Sequence, residues 1–235
     1  MRTSLILFDV DGTLVDTAGA GRVAMDRTCE RVFGIDRIAD KTAGVQYAGM
    51  TDPVILEAVV RAAGIDGDLF QTARDELQRV FLSELDAEMR RPESRRRVLP
   101  GVVPLLDELE ARADVHLGLA TGNLEAGARA KLGYFDLNRY FAAGGYSSDH
   151  RDRREIARIA WERLSERTGI RFPPDRVVVV GDTEHDVDCA RANGFRSVAV
   201  DSGWVTRESL VRAKPDVLLD DLSDRERTLR ALGID

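Results

Sequence analysis

The chain has 235 residues, of which 32% are charged and 43% apolar, and a formal net charge of -7; this is the balance of a globular protein with one large domain or a core carrying an insert. The negative charge argues against nucleic acid as a partner, and the arginine clusters at 90–97 and 151–154 read as solvated faces. No stretch approaches the roughly 18 apolar residues that a bilayer span needs, so no membrane partner is expected; two distant cysteines, Cys29 and Cys189, give neither a disulfide framework nor a zinc site and suit a cytoplasmic protein.

In chain order, Met1-Arg2-Thr3-Ser4 sets a basic residue before Leu5–Phe8, but that apolar run is too short for a signal sequence and Asp9 and Asp11 interrupt it. Leu5–Phe8 instead predicts a buried strand that delivers Asp9 and Asp11 into a Gly12-Thr13 turn. Residues i and i+2 of a strand point to one side, so both carboxylates can address one substrate. Held that close, two like charges cost stability unless a cation or a proton compensates.

From Asp16 to about Arg91 the spacing is helical, as in Val54, Ile55, Ala58, Val59, Ala62 and in Leu77, Val80, Phe81, Leu85. Residues 16–92 therefore read as a helical insert between two parts of a core, 1–15 and 93–235, with the polar, proline-containing stretch 90–97 as the linker. Within the insert, Thr51-Asp52-Pro53 has the form of a helix start, Thr51 or Asp52 at the N-cap and Pro53 in the first turn.

Beyond the linker, Pro100-Gly101-Val102 opens a helix with Leu105, Leu106 and Leu109 inward, followed by a strand from Val115 that ends in Thr121-Gly122-Asn123. Helices at 126–132, 156–164 and 189–192 then alternate with strands at 140–143, 177–180 and 198–200, which implies a parallel sheet with helices on both faces. The four valines 177–180 suit a strand buried on both sides. It ends in Gly181-Asp182, with Asp186 on the first turn of the next helix. In such sheets ligands bind outside the carboxyl ends of the strands, so Asp9, Thr121 and Asp182 are expected at one pocket.

Asp9-x-Asp11-Gly12-Thr13, Thr121 and Gly181-Asp182-x-x-x-Asp186 resemble the first, second and fourth motifs of the haloacid dehalogenase-like superfamily, in its phosphoglycolate-phosphatase-like branch. The resemblance implies an α/β fold: a doubly wound, Rossmann-like core with an inserted helical cap. It further implies a magnesium-dependent phosphatase acting on a small phosphorylated metabolite through an aspartyl-phosphate. Asp9 would be the nucleophile and Asp11 the acid and then the base. Carboxylates of Asp9 and Asp182 and the backbone carbonyl of Asp11 would hold Mg2+, with Asp186 on or beside the ion. Thr121, Asn123 and backbone N–H groups at Asp11, Gly12 and Gly122 would bind the phosphoryl oxygens, and Thr51 of Gly49-x-Thr51-Asp52 would face the site from the cap.

The third motif departs, because the family usually has a lysine there. Lys131 is the only lysine between Thr121 and Asp182, and it sits too early, in the helix after Thr121. Arg153, at the mouth of the next helix, is the expected substitute, with Arg151 and Arg154 behind it, since a guanidinium offers a fixed fork of donors to phosphoryl or carboxylate oxygens. A sugar phosphomutase would share every motif. A dehalogenase needs neither an acid at Asp11 nor magnesium, and a phospho-accepting receiver domain is about half this length and has no insert. His116 reads as a core or edge residue, His185 as an exposed helix start, and His150 as a surface or rim residue. Three dispersed histidines leave little support for a histidine metal site or a Ser-His-Asp triad. The sequence does not set an oligomeric state.

Overall fold

The first strand is apolar on both faces because helices cover it on both sides. In the computed structural model, which describes residues 3–35 and 37–234, it is β1 (Ser4–Phe8); Met1 and Arg2 of the basic start lie outside the described residues. After it come β2 (Val15–Asp16), the helices α1 (Ala20–Phe33), α2 (Ile38–Lys41), α3 (Asp52–Ala62) and α4 (Gly67–Met89), and β3 (Arg97–Val98). The remainder alternates: α5 (Val102–Glu110), β4 (Val115–Ala120), α6 (Glu125–Tyr134), β5 (Gly144–Gly145), α7 (Arg153–Thr168), β6 (Val177–Gly181), α8 (Glu184–Ala192), β7 (Arg196–Val200), α9 (Arg207–Ala213), β8 (Val217–Leu219) and α10 (Arg225–Leu232).

Six strands form one sheet in the order β5-β4-β1-β6-β7-β8, all paired parallel. This is the doubly wound α/β core the alternation implied. Ile6 and Phe8 face a cluster with Leu105, Leu106 and Leu109 of α5 and Leu132 of α6. Leu5 and Leu7 face the other side, against Ala157, Ala160 and Leu164 of α7 and Ala190 of α8. The strand period of two thus distributes one continuous apolar run between two layers of helices.

The helical segment has a core of its own, with Met25 and Cys29 of α1, Val59 of α3 and Leu77, Phe81 and Leu85 of α4. Leu124, from the loop after β4, inserts into it. Its two ends leave side by side: β2 and β3 pair antiparallel, Val15 with Val98 and Asp16 with Arg97, and Asp16 and Arg97 form an ion pair at 3.0 Å.

The arginine run there is not wholly solvated. Arg96 has only 1% of its side chain exposed and donates to the carbonyls of Met89, Arg91, Glu88 and Thr17 at 3.0, 2.7, 2.9 and 3.4 Å. The end of a helix leaves carbonyls without intrahelical partners, and a buried cation satisfies them.

The strand expected at 140–143 is instead Gly144–Gly145, preceded by a single 3-10 turn at Asn138–Tyr140. A Cβ on Gly145 would stand 2.1 Å from the Ile156 carbonyl, so the strand lies where glycine lets α7 rest directly on the backbone.

Candidate active site

Asp9 sits one residue beyond β1, yet its N–H still bonds the Val180 carbonyl of β6 at 2.9 Å. The sheet register therefore carries its carboxylate over the carboxyl edge. Asp182 follows β6 on one side of it and Thr121 follows β4 on the other. Thr121 is fully buried; its hydroxyl accepts from Asn123 Nδ2 at 2.8 Å and lies where it favours the ionised form of Asp9. The structure brings Asp9 and Asp182 together with Asp11, Asn123 and Arg153 around a cavity of about 280 Å³, with Thr121 buried behind its wall.

Asp9 is 5% exposed and Asp182 1%. Burial pushes the Asp9 carboxyl up to about 6, with the Arg153 charge working against it. Asp182 is raised well above the ordinary range, by burial first and then by the charges of Asp186 and Asp9. Asp182 Oδ1 accepts from the Thr13 hydroxyl at 3.3 Å, whereas Oδ2 has no partner among the described residues. Gly12 and Gly203 close over that oxygen, and a Cβ on either would stand only 2.3 or 1.6 Å away. Asp9, Asp182 and Asp186 each offer an oxygen within 4.8 Å of the others. Buried carboxylate oxygens crowded together, one of them without a donor, fit a hard divalent cation.

Asp186 has other work. Its Oδ2 accepts from the Thr183 N–H at 3.0 Å and the Thr183 hydroxyl at 2.7 Å, a capping box at the start of α8, while Oδ1 accepts from Arg153. With both oxygens already accepting hydrogen bonds, it holds Arg153 and stands next to the Asp9–Asp182 pair, which suits the place beside the ion better than the place on it. Arg153 opens α7 behind the Asp152 N-cap, and its guanidinium lies 3.5 Å from Asp9 Oδ1. Its two rivals point elsewhere: Arg151 pairs with Glu57 at 3.2 Å and Arg154 with Asp152 at 2.8 Å.

Lys131 corrects the sequence reading. It is 4% exposed, and its Nζ lies 2.5 Å from Asp11 Oδ2 and 2.6 Å from Asn123 Oδ1. Its side chain belongs to the buried face of α6, with Gly127, Ala128 and Leu132, and from there it reaches back to the turn after β1. Asp11 also accepts from Asn123 Nδ2 at 2.9 Å and, on Oδ1, from the Thr17 hydroxyl at 3.4 Å.

Two further expectations change. Thr51 is buried but does not line the cavity, because its hydroxyl donates to the Arg151 carbonyl at 3.2 Å; it occupies the N-cap position of α3 without capping through its side chain. The Gly12 N–H bonds the Val15 carbonyl at 2.9 Å, closing the turn, and so is committed away from a phosphoryl group. Gly122 does line the cavity, and its carbonyl accepts from Asp52 N–H at 2.8 Å.

Asp52, the last residue of the Gly49-x-Thr51-Asp52 segment, lines the cavity and joins insert to core: its Oδ2 accepts from Leu124 N–H at 2.7 Å, and burial raises its carboxyl to about 6. His185 is half-buried, with its ring against Gly49 of the insert. His150 is exposed and accepts from Asp152 N–H at 3.0 Å, and His116 packs edge-on to Phe172. The loop after β7 adds two contacts that no sequence motif marks: Ser202 donates to the Gly12 carbonyl at 2.8 Å, and Trp204 reaches the cavity.

A parallel sheet with an acidic, cation-ready pocket at its carboxyl edge and helices inserted after the first strand defines the class. The chain matches the haloacid dehalogenase-like hydrolase family over residues 3–194 and belongs to it. It is 31% identical, over 221 residues, to a phosphoglycolate phosphatase of Synechococcus elongatus, with 93% of each chain covered. In fold it is similar to CbbY from Rhodobacter sphaeroides, solved in complex with phosphate, with a TM-score of 0.75, 23% identity and coverage of 99% of this chain and 100% of that one. A putative beta-phosphoglucomutase from Thermotoga maritima is also similar, with a TM-score of 0.63, 22% identity and coverage of 98% and 99%. Within the family the chain is phosphoglycolate-phosphatase-like.

Proposed function

We propose that this haloacid dehalogenase-like phosphatase releases phosphate from a small phosphomonoester by way of a phosphoryl group carried on Asp9, with Mg2+ as its cofactor. The observation that carries this reading is the buried Asp9–Asp182 pair, with its unpartnered Asp182 oxygen, beside Asp11 in the same cavity. The carboxylates of Asp9 and Asp182 would hold the ion, which supplies positive charge against the repulsion between Asp9 and a phosphate dianion.

The protein's own groups divide the rest of the work. Arg153, fixed by Asp186, holds Asp9 and offers donors to phosphoryl oxygens. An Asp9 oxygen attacks phosphorus in line as the bond to the leaving oxygen breaks. Asp11 gives that oxygen a proton and later takes one from the water that cleaves the aspartyl-phosphate. Lys131 and Asn123 both donate to Asp11 Oδ2, which leaves Oδ1, with Thr17 at 3.4 Å, as the oxygen to carry the proton. Residues 16–92 act as a cap: Asp52 and Met50 rest on the loop from Gly122 to Leu124, so substrate closes in a site from which water is excluded.

The test is magnesium-dependent phosphate release from a panel of small phosphomonoesters by the parent, Asp9→Asn and Asp11→Asn proteins. Release that needs the ion and vanishes in both variants supports the reading. Phosphoryl transfer between sugar positions without net release would make the protein a mutase, and release that survives Asp9→Asn would remove the nucleophile.

A further inference from the structure

The cavity has two unlike walls, one from the core and one chiefly from the insert. At the sheet edge the charges meet one another: Arg153 faces Asp9 and Asp186, and Lys131 faces Asp11. The opposite wall is chiefly apolar, made by Met25, Tyr47, Met50 and Ile55 of the insert with Trp204 of the core at its rim; its charged residues are Arg22 and Asp52, and Asp52 is already held by the Leu124 N–H. Met25 and Ile55 are 1% and 6% exposed, whereas Trp204 is 57% exposed at the rim. The Trp204 loop is tied to the core wall, since Ser202 bonds the Gly12 carbonyl and Gly203 lies against Asp182.

Arg22 differs from the other cations of the cavity. Its guanidinium lies 5.3 Å from the centre of the Tyr47 ring, and among the described residues it enters no ion pair within 4.0 Å. Asp26, one turn on, feels its charge without reaching it. A cavity of about 280 Å³ is close to the roughly 300 Å³ at which pockets begin to enclose drug-sized ligands. A two-carbon leaving group would leave the apolar wall and Arg22 facing water, and the binding energy available there unused.

Resting on the phosphatase reading above, we propose that the leaving group is a flat apolar body, about one ring in size, bearing an anionic group at its far end. Met25, Ile55 and Trp204 hold the ring, and Arg22 binds the anion from the cap. These residues, rather than those at the sheet edge, choose the substrate.

The experiment compares three primary phosphomonoesters with similar leaving chemistry: phosphoglycolate, benzyl phosphate and 4-(phosphonooxymethyl)benzoate. For each, kcat/KM is measured on the parent with magnesium, and Kd by calorimetry on the Asp9→Asn protein. The expected order is carboxybenzyl over benzyl over glycolate, each step about tenfold or more. Arg22→Met removes the advantage of the carboxylate while the ring keeps its advantage over glycolate. Trp204→Ala lowers the two ring compounds more than phosphoglycolate. Phosphoglycolate bound and turned over as well as the ring compounds, or Arg22→Met weakening all three equally, would overturn the proposal. Because Kd is read without turnover, the expected binding order with no hydrolysis of any compound would sink the phosphatase reading while sustaining the cavity assignment.

Discussion

The sheet edge and the helical insert face each other across one cavity, and they are built on different rules. On the core side nearly every polar group has a fixed partner: Asp186 holds Arg153, Lys131 and Asn123 hold Asp11, and Thr13 holds one oxygen of Asp182. On the insert side the wall is chiefly side-chain carbon, with one arginine outside any ion pair among the described residues. Reaction chemistry demands atoms held to fractions of an ångström, which strand ends and buried networks provide. Selection demands a surface whose shape can change without disturbing them, which a separately packed helical insert provides.

The comparison is broken most severely by Arg153→Met. It leaves Asp186 and Asp9 buried without their cation, so a loss of about 3 to 5 kcal/mol in denaturant unfolding is expected, together with a fall in kcat under conditions where the protein stays folded. Retention of stability would show that the pair contributes little to holding the core side.

Lys131→Met comes next, with a loss of about a hundredfold in kcat and a smaller change in KM, because Asp11 loses the donor that orients it. A rise in KM alone would place Lys131 among the binding groups instead.

The carboxylates themselves give a pH signature. Asp9 is raised to about 6 in the folded chain, chiefly by burial, as is Asp52, against about 3.9 for an unfolded aspartate. Between those values the folded state binds more protons than the unfolded one, so in chelator the stability contribution of these groups is lost as pH rises from about 4 through 6. Thermal melts in EDTA should show that fall. Magnesium at pH 7 should raise the melting temperature of the parent and do so much less for Asp182→Asn. Equal magnesium shifts in both proteins would contradict the assignment of Asp182 as a ligand.

Smallest is Thr51→Val, which removes one hydroxyl bond between insert and core. It should cost about 1 kcal/mol and leave substrate preference alone. A change in preference would return Thr51 to the cavity.

How much of this could be read from sequence depended on whether a residue acts within its own element. The strands carrying Asp9, Thr121 and Asp182 were legible because continuous apolar runs ending in small polar residues suit only a few structures, and Arg153 was legible from its place at a helix start. Lys131 was not, because its partner Asp11 is 120 residues away. Its signal was a lysine sharing a helix face with Ala128 and Leu132. Arg96 read as surface because the carbonyls it satisfies exist only once α4 has ended. β5 was misplaced because a glycine pair carries no strand signal of its own. Trp204 lies after the carboxyl end of β7, where the rule applied to three other strand ends would have found it.

The central claim is that Asp9 carries the phosphoryl group. Acid quenching during turnover with magnesium, followed by mass analysis of the peptide containing Asp9, tests it most directly. The account predicts a fraction of that peptide heavier by one phosphoryl group, absent in chelator and in Asp9→Asn. Phosphate released at full rate with the peptide unmodified, and with Asp9→Asn still active, would contradict it.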